Sequence, residues 1–230
     1  MTLSGKAGLA VIDVQEDFCE PNGSLAVKGG RELAEVWNDL LSLPFAVKLA
    51  TRDYHPQDHI SFASQHSGKQ PFADTLMVKN PENESDDPFT VTLWPDHCVQ
   101  GTKGCEIIPE LDQSKLTQVI RKGWDKRVEA FSAFGPAYRN PRVGMSGLGD
   151  SLREAGITDL FVVGLAYDYC VKHTAIDAVE HGFKTYVIED ATAAIDKSDE
   201  GLAKLRKELQ DKGVTIIDLN SKELDAVRKA

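Results

Sequence analysis

The sequence predicts a three-layer α/β/α fold with a central six-stranded, mostly parallel β-sheet. Six short apolar runs are rich in β-branched residues, and most of them are followed by a stretch with helical spacing of apolar residues. Several of these runs are apolar throughout rather than alternating, which is typical of parallel strands buried on both faces. Alternating strands and helices of this kind form a sheet covered by helices on both sides, with right-handed crossovers.

The individual elements follow from the apolar pattern and from the residues that end each run. The first strand covers residues 8–12, and the helix after it runs from about 30 to 43, where Pro44 ends it. Gly156 and Gly213 end two later helices, and Ser198 is a suitable N-cap for the second of these. The other predicted strands are 45–50, 116–120, 159–163, 184–188 and 214–217, and the other predicted helices are 146–155, 171–182, 198–212 and a short charged one at the end.

Residues from about 57 to 104 show no sustained periodicity and are rich in proline, aspartate, asparagine and histidine. A segment this long inside a compact domain is usually functional or disordered. Trp94-Pro-Asp-His97 lies near its end, so we favour a functional segment. No linker-like stretch divides the chain, which predicts one domain over residues 1–230.

Composition restricts the class of protein. A chain of 230 residues with 41% hydrophobic content can form one full core. The net charge of −10 argues against nucleic acid as the main partner, and no apolar run is long enough for a membrane span. The first residues lack the apolar core of a signal peptide. The spacing of Cys19, Cys98, Cys105 and Cys170 fits neither a disulfide framework nor a paired zinc motif, which favours a reducing, cytoplasmic setting.

Cys170 lies where a predicted strand gives way to a helix, within Gly164-Leu-Ala-Tyr-Asp-Tyr-Cys-Val171. Unpaired N–H groups and the positive end of the dipole at a helix N-terminus lower a thiol pKa and can bind an oxyanion. The position therefore suits a nucleophile. A buried structural cysteine is the commoner fate of a free thiol, and this stretch alone leaves both interpretations open.

Three more chemically active residues come just after predicted strands: Asp13 after the first, Asp53 after the second and Lys122 after the third. Open α/β sheets bind ligands along this edge, so we expect these side chains near Cys170. Asp13 could take the thiol proton, and Lys122 could pair with the resulting negative charge. Taken singly, each has an ordinary alternative as a turn residue or a solvated charge.

A second set could hold a metal ion. Asp53 and His55 are two residues apart in extended chain and point the same way, and His97 could join them from the long segment. Two imidazoles and a carboxylate suit Zn²⁺ or Fe²⁺, with Mn²⁺ as a further alternative. Asp-x-His is common by chance, so histidines outside any metal site are the competing interpretation. His59 could be a fourth ligand or support the others, whereas we interpret His66, His173 and His181 as structural or solvent-facing.

The candidate residues lie in five sequence blocks, which are Val-Ile-Asp13-Val-Gln, Thr-Arg-Asp53-Tyr-His55-Pro, Trp94-Pro-Asp-His97-Cys-Val-Gln-Gly-Thr, Arg121-Lys122-Gly and Gly-Leu-Ala-Tyr-Asp-Tyr-Cys170-Val. In this order, the blocks resemble those of nicotinamidases, a family of the isochorismatase-like cysteine hydrolase superfamily. The resemblance covers nearly the whole chain and separates nicotinamidases from isochorismatases, which share the fold but lack the metal motif.

The resemblance implies an isochorismatase-like hydrolase fold and assigns roles to the residues already singled out. It implies a triad of Asp13, Lys122 and Cys170, and one divalent ion, with zinc as the first choice and iron or manganese as alternatives. The implied metal ligands are Asp53, His55 and His97, completed by waters. The implied oxyanion hole consists of the N–H groups of Ala166 and Cys170 beside a cis peptide between Leu165 and Ala166.

The pocket walls and the activity follow from the same resemblance. Phe18, Trp94 and Tyr169 match residues that surround an aromatic substrate, although Phe18 could equally be ordinary core. The implied reaction, part of NAD salvage, converts nicotinamide, or a close pyridine or pyrazine carboxamide, to the acid and ammonia, with the ring nitrogen on the metal. Tyr167 departs from the small threonine usual in the family, so the turn around it could differ.

Two alternatives stay open. The chain could be a metal-free amidase of the same superfamily that acts on a carbamoyl or ureido substrate. It could also be a non-catalytic member that binds a small ligand or a partner protein, although the intact set of Asp13, Lys122 and Cys170 argues against this. Neither nucleic acid nor a membrane is expected as a partner, and a homo-oligomer is compatible with the sequence.

Overall fold

The computed structural model describes residues 5–230, and within them six strands form a parallel sheet while two others form a hairpin. The strands are β1 (Lys6–Ile12), β2 (Val47–Asp53), β3 (Thr75–Val78), β4 (Phe89–Thr92), β5 (Gln118–Lys122), β6 (Ile157–Leu165), β7 (Lys184–Ala193) and β8 (Thr215–Ile217). The sheet has the order β5-β2-β1-β6-β7-β8, and every pair of neighbours in it is parallel. The predicted fold class is therefore confirmed.

Helices cover both faces of the sheet because alternate residues of the central strands point to opposite sides. In β1, Leu9 and Val11 join one core cluster, and Ala10 and Ile12 join the other. The helices are α1 (Ala34–Leu41), α2 (Leu148–Glu154), α3 (Lys172–Glu180), α4 (Asp199–Asp211) and α5 (Lys222–Arg228). Buried residues of α1 and α5 belong to the first cluster, and those of α2, α3 and α4 belong to the second.

The hairpin of β3 and β4 lies in the segment where no periodicity was evident, so that segment is partly regular. Each strand has four residues and is mostly exposed or half-buried, which leaves too few apolar positions to produce a clear alternation. Val78 and Val91 contribute the hairpin's buried residues to a small separate cluster that includes Tyr138. The hairpin is thus stabilised by residues distant in sequence.

The chain order of the strands places a crevice at the C-terminal edge of the sheet. From β1 the chain proceeds outward through β2 to β5, and it then returns to the other side of β1 as β6. Such a reversal of strand order is where open α/β sheets bind ligands. Asp13 directly follows β1 and Cys170 follows β6, so both lie at this reversal.

Gly164 permits the close approach of β6 to the end of β1. It pairs with Ile12 and has a φ of 115°, and a Cβ at this position would overlap the backbone of Ile12. A larger residue would therefore push the two strands apart next to Asp13.

Among residues 5–230, no helix combines the length and apolarity that a membrane crossing requires.

Candidate active site

Lys122 is the centre of the site. It is the last residue of β5, and its side chain is fully buried. Its Nζ lies 2.9 Å from Asp13 Oδ2 and 2.6 Å from Asp53 Oδ1. It also donates to the carbonyl of Ala130 at 2.9 Å and lies 3.6 Å from the sulfur of Cys170. Burial lowers the pKa of Lys122, but the carboxylates of Asp13 and Asp53 raise this pKa by more. The net pKa is well above its usual value, so the amine stays protonated.

Asp13 is held in a conformation uncommon for a non-glycine residue, with a φ of 48°. Thr51 supports it twice, because the Asp13 N–H donates to the threonine hydroxyl at 3.0 Å and that hydroxyl donates to Asp13 Oδ1 at 2.6 Å. Within the described chain, Asp13 Oδ2 has no well-aligned hydrogen bond. Burial raises the pKa of Asp13, and Lys122 offsets this only in part. Oδ2 therefore interacts with Lys122 as an ion pair, at 2.9 Å from its Nζ.

Cys170 lies in a π-helical turn, Tyr167–Val171, that leads directly into α3. Such turns are frequent at functional sites. The peptide between Leu165 and Ala166 is cis, as the resemblance implied. The expected lowering of the thiol pKa is wrong: burial raises the pKa of Cys170 well above its usual value, and Lys122 lowers it only in part. The resting sulfur is therefore a thiol and needs a base to become reactive.

The three predicted metal ligands come together. Asp53, His55 and His97 are buried, and their ligand atoms all lie within 4.8 Å of one another. His55 Nδ1 lies 2.8 Å from the Gly123 carbonyl, and His97 Nδ1 lies 2.8 Å from the Pro95 carbonyl. In the neutral tautomer in which Nδ1 donates its hydrogen to the carbonyl, the Nε2 of each imidazole keeps a lone pair.

Several features show that these donors fit a divalent cation. His55 Nε2 is buried with no hydrogen-bond partner among residues 5–230. It lies 3.6 Å from Asp53 Oδ2, which leaves room between two donors. Burial lowers the pKa of His97 to about 4, so this ligand is neutral, as metal binding requires. A backbone carbonyl behind each ligating imidazole is the usual support for a metal site. The residues can thus hold a divalent ion.

Gly123 keeps space for this arrangement, because its φ is 65° and a Cβ there would lie 2.5 Å from the His55 ring. His59 does not join the ligands. Its ring centroid lies 4.0 Å from that of His55 with the two rings tilted by 37°, and its two nitrogens already contact Ser61 Oγ and the Val128 carbonyl. The structure therefore favours support of His55 over the role of fourth ligand.

An aromatic pocket connects the thiol and the metal ligands. Phe18, Trp94 and Tyr169 line it, as expected, together with Cys170 and Ala166. The remaining lining residues were not recognised in the sequence, and they are Leu25, Val27, Glu129, Phe131 and Ile195, beside the predicted ligands Asp53 and His97. They belong to irregular segments whose residues carry no signal of a shared pocket.

Tyr167 does not reach this pocket. It is buried in the core cluster that contains residues of α3 and α4, whereas Tyr169 lines the pocket. The departure from the usual threonine therefore changes core packing behind the turn. His173 also contacts the site indirectly, since its ring stacks on Phe131 at 5.4 Å.

Two polar residues that hold the site together were missed as well. The buried amide of Gln15 accepts from the Asp53 N–H at 2.7 Å and donates to the Asp53 carbonyl at 2.8 Å. Asp17 accepts from the N–H of Cys98 at 2.7 Å, directly after His97. Both come shortly after Asp13 in the chain, and this proximity was the only available signal.

Comparisons with known proteins agree with this geometry. The family model described as Isochorismatase domain matches residues 7–221. A nicotinamidase from Acinetobacter baylyi is 41% identical over 196 residues, which cover 85% of each chain. A nicotinamidase from Schizosaccharomyces pombe is 34% identical over 229 residues, which cover 99% of this chain and 100% of the relative.

Solved structures extend the comparison. The yeast nicotinamidase bound to the inhibitor nicotinaldehyde superimposes with a TM-score of 0.87 at 33% identity, covering 92% of this chain and 99% of that one. The pyrazinamidase of Pyrococcus horikoshii in complex with zinc gives a TM-score of 0.70 at 30% identity, covering 93% and 99%. The similarity therefore spans whole chains.

The ligand cluster predicts one bound divalent ion per chain. His97→Ala should weaken Zn²⁺ binding by at least about tenfold, because it removes one of three protein ligands. Calorimetric titration of Zn²⁺ into chelator-treated protein measures this directly, with the folded fraction checked by circular dichroism. His66→Ala is the matched control, since His66 is not among the clustered donors and its Nε2 contacts the Ile60 carbonyl. Equal affinity in both variants would contradict the assignment.

Proposed function

The chain belongs to the isochorismatase family, and from that premise we infer that it hydrolyses nicotinamide to nicotinate and ammonia in NAD salvage. The observation that carries this inference is the meeting of two sets in one aromatic pocket: a thiol beside a carboxylate and an ammonium, and three metal donors. The first set suits attack on an amide, and the second suits a ring with a nitrogen lone pair.

We propose that Cys170 is the nucleophile and Asp13 its base. The thiol transfers its proton to the Asp13 carboxylate, which lies within 4.8 Å of the sulfur, as the sulfur attacks the carboxamide carbon and forms a C–S bond. Lys122, 3.6 Å from the sulfur, offsets the negative charge that develops there. The pKa of the buried thiol is raised, so proton transfer and attack are expected to be coupled.

The carboxamide oxygen becomes an oxyanion after attack. We propose that the backbone N–H groups of Ala166 and Cys170 receive it. Collapse breaks the C–N bond, and the proton held by Asp13 passes to the leaving nitrogen, which departs as ammonia. Water then attacks the thioester, giving its hydroxyl to the acyl carbon and a proton back through Asp13 to the sulfur. The products are nicotinate and the free thiol.

We propose that Asp53, His55 and His97 hold the divalent ion, with zinc the favoured identity because two imidazoles and a carboxylate with open positions suit it. A bound ion supplies a Lewis-acid position for the pyridine nitrogen. The chain's own contribution is to fix the donors: Lys122 and the Gln15 amide hold Asp53, and backbone carbonyls hold the imidazoles.

The metal-free amidase is the second candidate, and the donor geometry disfavours it. An amidase without a metal has no use for a buried imidazole nitrogen left without a partner, as in His55.

Cys170→Ala should abolish nicotinate formation, because it deletes the attacking atom. Only a small buried volume is lost, so the fold should persist. Liquid chromatography of the products measures turnover, and the melting temperature reports the fold. Cys105→Ala is the control, since Cys105 is buried away from the pocket lining. Turnover in the purified Cys170→Ala variant would exclude the thioester route.

Asp13→Asn should lower kcat by about 10²–10⁴-fold, the usual range for loss of a general base. An amide cannot take the thiol proton, and it leaves Lys122 with one carboxylate partner instead of two. The measurement is steady-state release of ammonia with nicotinamide. A kcat within a few-fold of the wild-type value would make Asp13 a structural residue.

Benzamide should be a far poorer substrate than nicotinamide, by about 10⁴–10⁵ in kcat/KM, the discrimination typical of a site that binds a polar group absent from the analogue. Benzamide fills the same aromatic pocket but has no ring nitrogen, whereas pyrazinamide keeps one and should be hydrolysed. The three values of kcat/KM are compared for metal-loaded and chelated protein. Similar rates on benzamide and nicotinamide would favour the metal-free amidase.

A further inference from the structure

Two irregular segments that carry exposed residues contribute to the lining of the pocket. We call these two segments, residues 24–28 and residues 194–197, the pocket rim. Leu25 and Val27 of the first segment and Ile195 of the second line the pocket. The pocket floor carries Cys170 and is buried, whereas Ile195 is 45% exposed. The rim therefore lies between the floor and solvent.

The second rim segment is attached to the catalytic turn. The carboxylate of Asp168 accepts the backbone N–H of Ile195 at 3.0 Å with one oxygen, and that of Asp196 at 2.9 Å with the other. Asp168 belongs to the same π-helical turn as Cys170, two residues away. The position of Ile195 is thus tied to the turn that carries the nucleophile.

The two rim segments are also attached to each other. Lys197 Nζ donates to the carbonyl of Lys28 at 2.6 Å. The first segment is anchored in turn to a pocket wall, because the Val27 N–H donates to the carbonyl of Phe18 at 3.0 Å. A continuous chain of hydrogen bonds therefore runs from Asp168 through both rim segments to Phe18.

We propose that Asp168 and Lys197 are positioning residues that hold the pocket rim closed over the substrate ring and thereby exclude carboxamides substituted at ring position 5. This rests on the proposed function. With the ring nitrogen at Asp53, His55 and His97 and the carboxamide at Cys170, the ring atom between these two anchors is C2. C5 lies opposite C2, so it is farthest from the floor and points toward the rim.

The kinetic signature follows from where the rim acts. Contacts between the rim and the ring are equal in the ground state and in the transition state, since the reacting carboxamide lies on the floor. Such uniform binding lowers KM without changing kcat. A loosened rim should therefore raise KM for nicotinamide, leave kcat nearly unchanged and improve relative activity on a larger ring.

Lys197→Met tests the tie between the segments without altering the catalytic turn. We expect KM for nicotinamide to rise about 3- to 10-fold, the effect of losing one hydrogen bond, with kcat within about twofold. The ratio of kcat/KM for 5-methylnicotinamide to that for nicotinamide should rise at least about threefold. Lys204→Met is the matched control. Lys204 is an exposed lysine of α4, and its side chain forms no ion pair or hydrogen bond within the described chain. An unchanged KM and an unchanged ratio would overturn the proposal.

Asp168→Ala tests the tie to the turn with a readout independent of turnover. Trypsin should cut after Lys197 at least about fivefold faster than in the wild-type protein, because two backbone hydrogen bonds no longer hold the segment. Cleavage at other sites and the circular dichroism spectrum monitor general unfolding. Cleavage after Lys197 at the wild-type rate would overturn the role of Asp168. If the wild-type protein does not hydrolyse nicotinamide, the proposed function is refuted instead. The trypsin experiment would still show whether Asp168 holds residues 194–197 in place.

Discussion

The buried ammonium of Lys122 is the interaction on which the rest of the site depends. It joins Asp13 at the end of β1 to Asp53 at the end of β2, and it lies beside Cys170 after β6. Removing one partner of a buried ion pair usually costs about 3–5 kcal/mol, because the other charge is left uncompensated. The strand ends are therefore held together by the same charges that carry the chemistry.

Charge balance connects the triad with the metal donors. Lys122 carries one positive charge and faces two carboxylates, so it can balance the negative charge of only one of them. Lys122 holds the pKa of Asp53 below its usual value despite burial, so Asp53 stays ionised. Asp13, with its raised pKa, can exchange a proton more readily. The two carboxylates that share one ammonium therefore suit the two roles proposed for them, Asp53 as a metal donor and Asp13 as a base.

The support around the site explains how irregular segments keep a defined geometry. Gln15 clamps both backbone groups of Asp53, and Asp17 holds the chain next to His97. Asp168 and Lys197 tie the rim segments in a similar manner. In each case a side chain from one segment satisfies backbone groups of another, which compensates for the absence of regular hydrogen bonding.

The sequence by itself determined the fold class and singled out the residues that we propose to react. Apolar runs report local burial, and Asp13, Asp53 and Lys122 stand at strand ends that a parallel sheet must bring to one edge. The tertiary structure alone decided the hairpin of β3 and β4, the pocket residues Phe131 and Ile195, the inward packing of Tyr167 and the raised pKa of Cys170. These depend on contacts between segments far apart in the chain and on the burial that such contacts create, which no local pattern of residues encodes.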